Sequence, residues 1–235
     1  TSNVVSATLQ VLPNEADVVI TEFLADPRAS TDINGEWVEL YNRTSSSLNL
    51  NGFQLHDDAT PGYTINVDLY IGPGDYVVLG RNLNTAVNGG VTLDLQYTGF
   101  VLEDDVDQIV LSFDGLEIDR VDYDLGSYPW SLWRQSSSLD PDLGTPDGIL
   151  NDDPASWCAA TSLLGGPTTD FGTPGGPNDS CLCADSDTDG DAFGVDPLCA
   201  ALDCDDADPG VSPAQTELCN GIDDDCNDGI DEGCN

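Results

Sequence analysis

Residues 181–235 hold sixteen Asp or Glu, seven Cys and no Lys or Arg. A chain of that composition does not collapse unaided. Like charges repel at short range, and few large apolar side chains are present to offset the entropy of ordering. Order in this segment needs cations and covalent cross-links, so it reads as a disulfide-stapled, calcium-binding C-terminal module that takes more than one ion.

The local spacing supports that reading. Asp185-Ser186-Asp187-Thr188-Asp189-Gly190 is followed by Asp196, which gives the twelve-position spacing of an EF-hand-like calcium loop. Carboxylates at positions 1, 3 and 5 converge on one hard cation, Gly190 permits the sharp turn, and Asp196 closes the sphere. Oxygen-only ligands favour calcium. An Asp at position 12 reaches less far than the usual Glu, which puts the expected affinity at about 0.1–1 mM, in the range of extracellular modules.

Downstream come Asp203-Cys204-Asp205-Asp206-Ala207-Asp208-Pro209 and Cys219-Asn220-Gly221-Ile222-Asp223-Asp224-Asp225-Cys226, ending in Ile230-Asp231-Glu232. The run from Asp185 to Glu232 resembles the Cys/Asp-rich metal-binding repeat of bacterial surface proteins. The candidate ligands are Asp185, Asp187, Asp189, Asp191 and Asp196, then Asp203, Asp205 and Asp208, then Asp223, Asp225, Asn227, Asp231 and Glu232. The last loop departs from the DxDxDG pattern, because Gly229 stands one place later than that pattern requires.

Cysteine usage points to an oxidising compartment. Eight Cys form an even set interleaved with Asp rather than His, which argues for disulfides over zinc. Cys158 is expected to bond Cys181 or Cys183, and the remaining connectivity stays open. The net charge is −39, carried against five Arg and no Lys. Such a charge excludes nucleic acid and anionic lipid as partners. No apolar run is long enough to span a membrane. With no Met and no Lys in the sequence, Thr1 is expected to be the mature end of an exported, extracellular or cell-surface protein.

Three pieces follow along the chain: a leader at 1–13, a β-rich domain at 14–178 and the module at 179–235, with a Gly/Pro/Thr-rich stretch at 165–177 read as the connection. Apolar runs at 18–24, 37–41, 48–55, 63–65, 76–79, 109–113 and 116–123 are short, mostly alternating or β-branched, and separated by turn signals such as Asn51-Gly52 and Asp114-Gly115. The fold class is therefore all-β, a β-sandwich. Four segments, 19–27, 35–42, 48–55 and 71–79, resemble a lamin tail domain. Trp157, Cys158 and residues 172–178 fit that family's closing stretch. The resemblance implies an immunoglobulin-like sandwich that binds or assembles rather than catalyses.

Other residues carry weaker signals. Trp37 alternates within a strand and is expected in the core. Glu22 and Glu39 are read as ordinary surface acids and His56 as a solvated loop residue. With no Ser elbow, P-loop or zinc-protease motif in the sequence, the chain is read as a non-enzyme. Trp130 and Trp133, near Tyr128 and Arg134, form either an exposed aromatic contact or a buried seal. Two Asn-x-Ser/Thr sequons start at Asn42 and Asn178. In the leader, Val5, Ala7, Leu9 and Val11 alternate with polar residues, so 4–12 reads as a strand that needs an edge. The expected partner is another copy of the chain, joined head to tail by strand addition into a filament. The alternative is a monomeric calcium-dependent adhesion module for surface glycans.

Overall fold

A computed structural model of the chain describes residues 12–60, 62–126, 134–164, 169–181, 189, 204–205, 207–213, 215–226 and 229–231. The expected leader strand, the 185–187 and 191–196 parts of the calcium loop, Asp203, Asn227, Glu232 and the Tyr128–Trp133 aromatic group fall outside them.

Strands form at each of the seven apolar runs, and four more form outside them. They are β1 (Val18–Leu24), β2 (Trp37–Asn42), β3 (Leu48–Asn49), β4 (Phe53–His56), β5 (Tyr63–Thr64), β6 (Tyr70–Ile71), β7 (Tyr76–Gly80), β8 (Leu95–Gln96), β9 (Val106–Phe113), β10 (Leu116–Asp124), β11 (Ser137–Leu139) and β12 (Trp157–Ala159). One four-residue helix, α1 (Asp32–Gly35), precedes β2. A six-stranded sheet runs β12-β11-β1-β2-β7-β8 and a four-stranded sheet runs β10-β9-β4-β5, with β3 and β6 forming a separate pair. His56 closes β4 instead of lying in a loop, and its ring nitrogens meet the Ser112 hydroxyl at 3.0 Å and the Asp57 carbonyl at 2.9 Å.

The core lies between the two sheets. Val18, Ile20 and Phe23 of β1, Val38 and Leu40 of β2, Phe53 and Leu55 of β4, and Ile109 and Leu111 of β9 all belong to it. Phe23 sits 4.7 Å from Tyr123 and 5.8 Å from Trp157, ring centre to ring centre. Truncating one such aromatic side chain costs about 3–5 kcal/mol. Strand alternation alone would put Ile20 and Glu22 on one face. A bulge between them shifts the register, so Ile20 pairs with Leu40 and Glu22 with Glu39. Phe23 then faces the core, and Glu22 and Leu24 face the opposite side of the six-stranded sheet. That second side is not open to water either. Trp37, Leu24, Val78, Val91 and Leu164 form a smaller buried cluster there.

Residues 172–178 complete the cover. Within the stretch read as a connection, residues 172–177 lie as a strap against the six-stranded sheet. Gly172 is needed for the close approach, because a Cβ there would stand 3.0 Å from both the Ser136 hydroxyl and the Trp37 ring. Gly175 has φ +90°, the left-handed region that glycine adopts without strain. Past the strap, Cys181 bonds Cys158 of β12, one of the two pairings expected. The first sequon is closed to modification in the folded chain: Asn42 is fully buried and donates to the Ser46 and Ile71 carbonyls.

The Cys158–Cys181 bond closes a loop of 23 residues, for which chain-entropy loss in the unfolded state contributes about 3 kcal/mol. Replacing both by Ser lowers the unfolding free energy by about that amount in urea titrations; an unchanged midpoint would show that the strap holds without its staple.

Candidate metal centre

The module is organised by a second disulfide, Cys204–Cys226, and by a small buried patch of Val211, Ser212 and Asp224. With so little apolar material, polar contacts set the chain path. Ser212 N–H donates to the Asp224 carbonyl at 2.9 Å, and the Asp224 carboxylate accepts from Leu218 N–H at 3.1 Å and from the Asn220 side chain at 2.8 Å. Asp224 is thereby committed to the fold. Its neighbours point elsewhere: Asp223 and Asp225 come together with Glu217, each offering a carboxylate oxygen, and the three oxygens lie within 4.8 Å of one another.

The backbone presets this cluster. Glu217 accepts from Asp224 N–H with one oxygen and from Asp231 N–H with the other, both at 2.9 Å. Those bonds fix the carboxylate and leave lone pairs on each oxygen for a cation. Oδ1 of Asp223 is shielded from solvent and has no hydrogen-bond partner among the described residues. An unsatisfied carboxylate oxygen beside two further carboxylates costs free energy unless a cation sits between them.

Of the expected ligands, Asp223 and Asp225 are brought together. Asp231 lies alongside, its carboxylate accepting from Gly221 N–H at 2.8 Å and its own N–H serving Glu217. Asp208 spends a carboxylate oxygen on the Gly210 N–H at 3.0 Å, as a turn residue does. Asp205 accepts from the backbone N–H of Ala207 and Asp208 with its carbonyl. Asp189 is half-buried and joins no acidic group of three among the described residues. Asp185, Asp187, Asp191, Asp196, Asp203, Asn227 and Glu232 lie outside those residues. Glu217 was missed in the sequence because it stands six residues before Asp223, outside any alternate-Asp spacing.

A second acidic arrangement lies under the strap. Ser138 of β11 pairs with Glu22 of β1, Glu22 with Glu39 of β2, and Glu39 with Val78 of β7, which makes one row across the sheet. Both glutamates are fully buried, contrary to their reading as surface acids. The cause is the strap. Glu22 accepts from the hydroxyls of Ser136 at 2.5 Å and Ser138 at 3.0 Å and from Thr173 N–H at 2.9 Å. Glu39 accepts from the Thr21 hydroxyl at 2.8 Å and Gly175 N–H at 2.6 Å. Burial pushes the Glu22 carboxyl up to about 7, against the pull of those hydrogen bonds. Burial and then the neighbouring Glu22 raise Glu39 well above the usual carboxylate range. The sandwich also holds Asp26, Asp32 and Asp104 close together, two of them exposed.

With this geometry in hand, two family models match the chain. One is the lamin tail domain, over residues 12–124. The chain contains a lamin tail domain. Its immunoglobulin-like sandwich extends beyond the matched residues, since β11 pairs with β1 and β12 with β11 in the same sheet. The other model is Cu-binding MopE, a motif to which metal binding is ascribed, over residues 203–232. Glu217, Asp223 and Asp225 all fall inside that span. Searches of the curated proteins and of the solved structures found no match. Among the described residues, no helix is long and apolar enough to cross a membrane. The disulfides and the motif after the lamin tail domain fit an extracellular protein.

Glu217→Gln removes one of three clustered negative charges without changing side-chain shape. In calorimetric titration with calcium, one binding step weakens by about tenfold or more; an unaltered isotherm would take Glu217 out of the centre.

Proposed function

We propose that this chain is an extracellular structural subunit that polymerises into a calcium-stabilised surface filament by exchange of its N-terminal strand. The observation that carries this reading is an edge. β10, nine residues long, stands at the margin of the four-stranded sheet. Ala16 N–H donates to the Ile118 carbonyl on its outer side at 2.7 Å, so the chain coming from the leader runs past that edge. Leu12, just upstream, is 69 % exposed and lacks cover. An alternating strand beside a long edge favours strand addition, and addition between copies that does not close into a ring makes a filament.

Calcium is preferred for the metal on donor chemistry. Copper favours thiolate, thioether or imidazole. The chain has no Met, its one His is on β4 against Ser112, and Cys204 and Cys226 are bonded to each other. Carboxylates alone suit a hard cation, and calcium above magnesium where the ligands sit on loops of irregular geometry. The reading is non-catalytic: Glu22 and Glu39, a carboxylate pair in adjacent strands, are closed off by the strap and engaged in hydrogen bonds.

Deleting residues 1–12 abolishes filaments seen by electron microscopy in millimolar calcium and leaves a monomer with unchanged circular dichroism. Filaments that persist in the deleted protein contradict strand exchange, and native protein that stays dispersed with and without calcium favours the calcium-dependent adhesion module for surface glycans.

A further inference from the structure

The strap turns a linker-like sequence into part of the fold, and its attachment is unusual in kind. Two carboxylates meet it directly, each through a backbone amide: Glu22 through Thr173 and Glu39 through Gly175. They stand opposite each other in register on adjacent strands, both fully buried. Among the described residues no Arg or His forms an ion pair with either. The titratable neighbours are hydroxyls. Tyr76 on β7 is pushed up to about 12 by its own burial, then by Glu39 and Tyr41, and Tyr41 on β2 rings against Tyr76 at 4.9 Å. From β11 and the strap come Ser136, Ser138 and Thr173, which bear no charge.

Two full negative charges in that setting repel across a medium that screens them poorly, while one charge and one neutral carboxyl are accommodated by the donors present. We propose that Glu22 and Glu39 form a proton-sharing clasp for the 172–178 strap, closed while at least one of the two carboxyls is protonated and opened when both are ionised. The proton leaves to solvent, and the repulsion is relieved when water replaces the strap amides. Opening stays local. At one end, Phe171 N–H donates to the Arg134 carbonyl at 2.7 Å and its own carbonyl accepts from Ser136 N–H at 3.0 Å. At the other end, Cys181 is bonded to Cys158, and Asp179 accepts from Thr161 and Ser162 N–H at 2.8 and 2.6 Å.

The sign follows from the direction of the shift. Glu22 and Glu39 titrate higher in the folded chain than their ordinary 4.5. Their contribution is complete below that value and is lost as pH rises through about 7 and beyond. Asp179 acts oppositely. Its burial works against ionisation, yet the bonds from Ser162 and Thr161 hold its carboxyl below the usual range, so its anchor is lost as pH falls. The strap is held between those limits.

The test is amide hydrogen exchange at Thr173 and Gly175 in the full chain with saturating calcium, expressed as an opening constant after correction for base-catalysed chemical exchange. Above about pH 7 that constant rises about tenfold per pH unit, while amides of β1 and β2 stay protected. Glu39→Gln flattens the slope and weakens the infrared absorption of buried protonated carboxyls at neutral pH, which Glu36 and Asp119 share. An opening constant independent of pH in the native chain overturns the clasp, as does an equal slope in Glu39→Gln. Should Glu39→Gln fail to fold, the native slope and Glu22→Gln decide the matter in the same way.

Discussion

Carboxylate oxygens that accept backbone N–H groups hold this sandwich at the places where regular pairing stops. Asp119 takes the Ile20 N–H next to the β1 bulge, Asp94 takes Val78 N–H, and Asp170 takes Arg28 and Ala29 N–H. Glu36 takes Leu102 N–H, while Glu22 and Glu39 take the strap. In a chain without Lys, an acid cannot be buried against an ammonium group. Irregular backbone amides donate to every one of these acids, and a charge-assisted bond to such an amide is worth more than a neutral one. The cost is desolvation. Burial lifts the carboxyls of Glu36 and Asp119 to about 7, as it does for Glu22. At Glu36 the offset comes from Leu102 N–H and then Arg81, which stands 3.2 Å away.

The tail meets the same excess of charge by other means. Its described residues form no strand, and Glu217 takes two amides from the turns at Asp224 and Asp231. The result is a preset carboxylate beside Asp223 and Asp225. Surplus acid becomes a hydrogen-bond acceptor in the sandwich and a preset carboxylate cluster in the module. The disulfide from β12 to Cys181 joins the two regions covalently.

Much of the sandwich was legible because alternation of apolar residues is a local property. Val18 to Leu24 and Trp37 to Tyr41 announce strands without reference to anything distant. Burial of Glu22 and Glu39 is not local. It follows from a one-residue bulge at Thr21 and from a Gly/Pro segment about 150 positions later, and neither leaves a periodic trace. The composition of 172–178 reads as linker because Gly and Pro serve tight apposition and flexibility alike. In the module, Asp223 and Asp225 were legible from their spacing. Asp224 between them turns inward, and Glu217 enters the cluster through the path of a disulfide-closed loop, which spacing rules do not describe.

A cation bound between Glu217, Asp223 and Asp225 would order the acidic module. Amide exchange at Asp224 and Asp231, whose N–H groups both end on Glu217, measures this directly with disulfides intact. Slow exchange in millimolar calcium that becomes fast on addition of excess EGTA is the predicted result. Protection that is the same before and after chelation would contradict it, leaving the disulfides and hydrogen bonds as sufficient support for the tail.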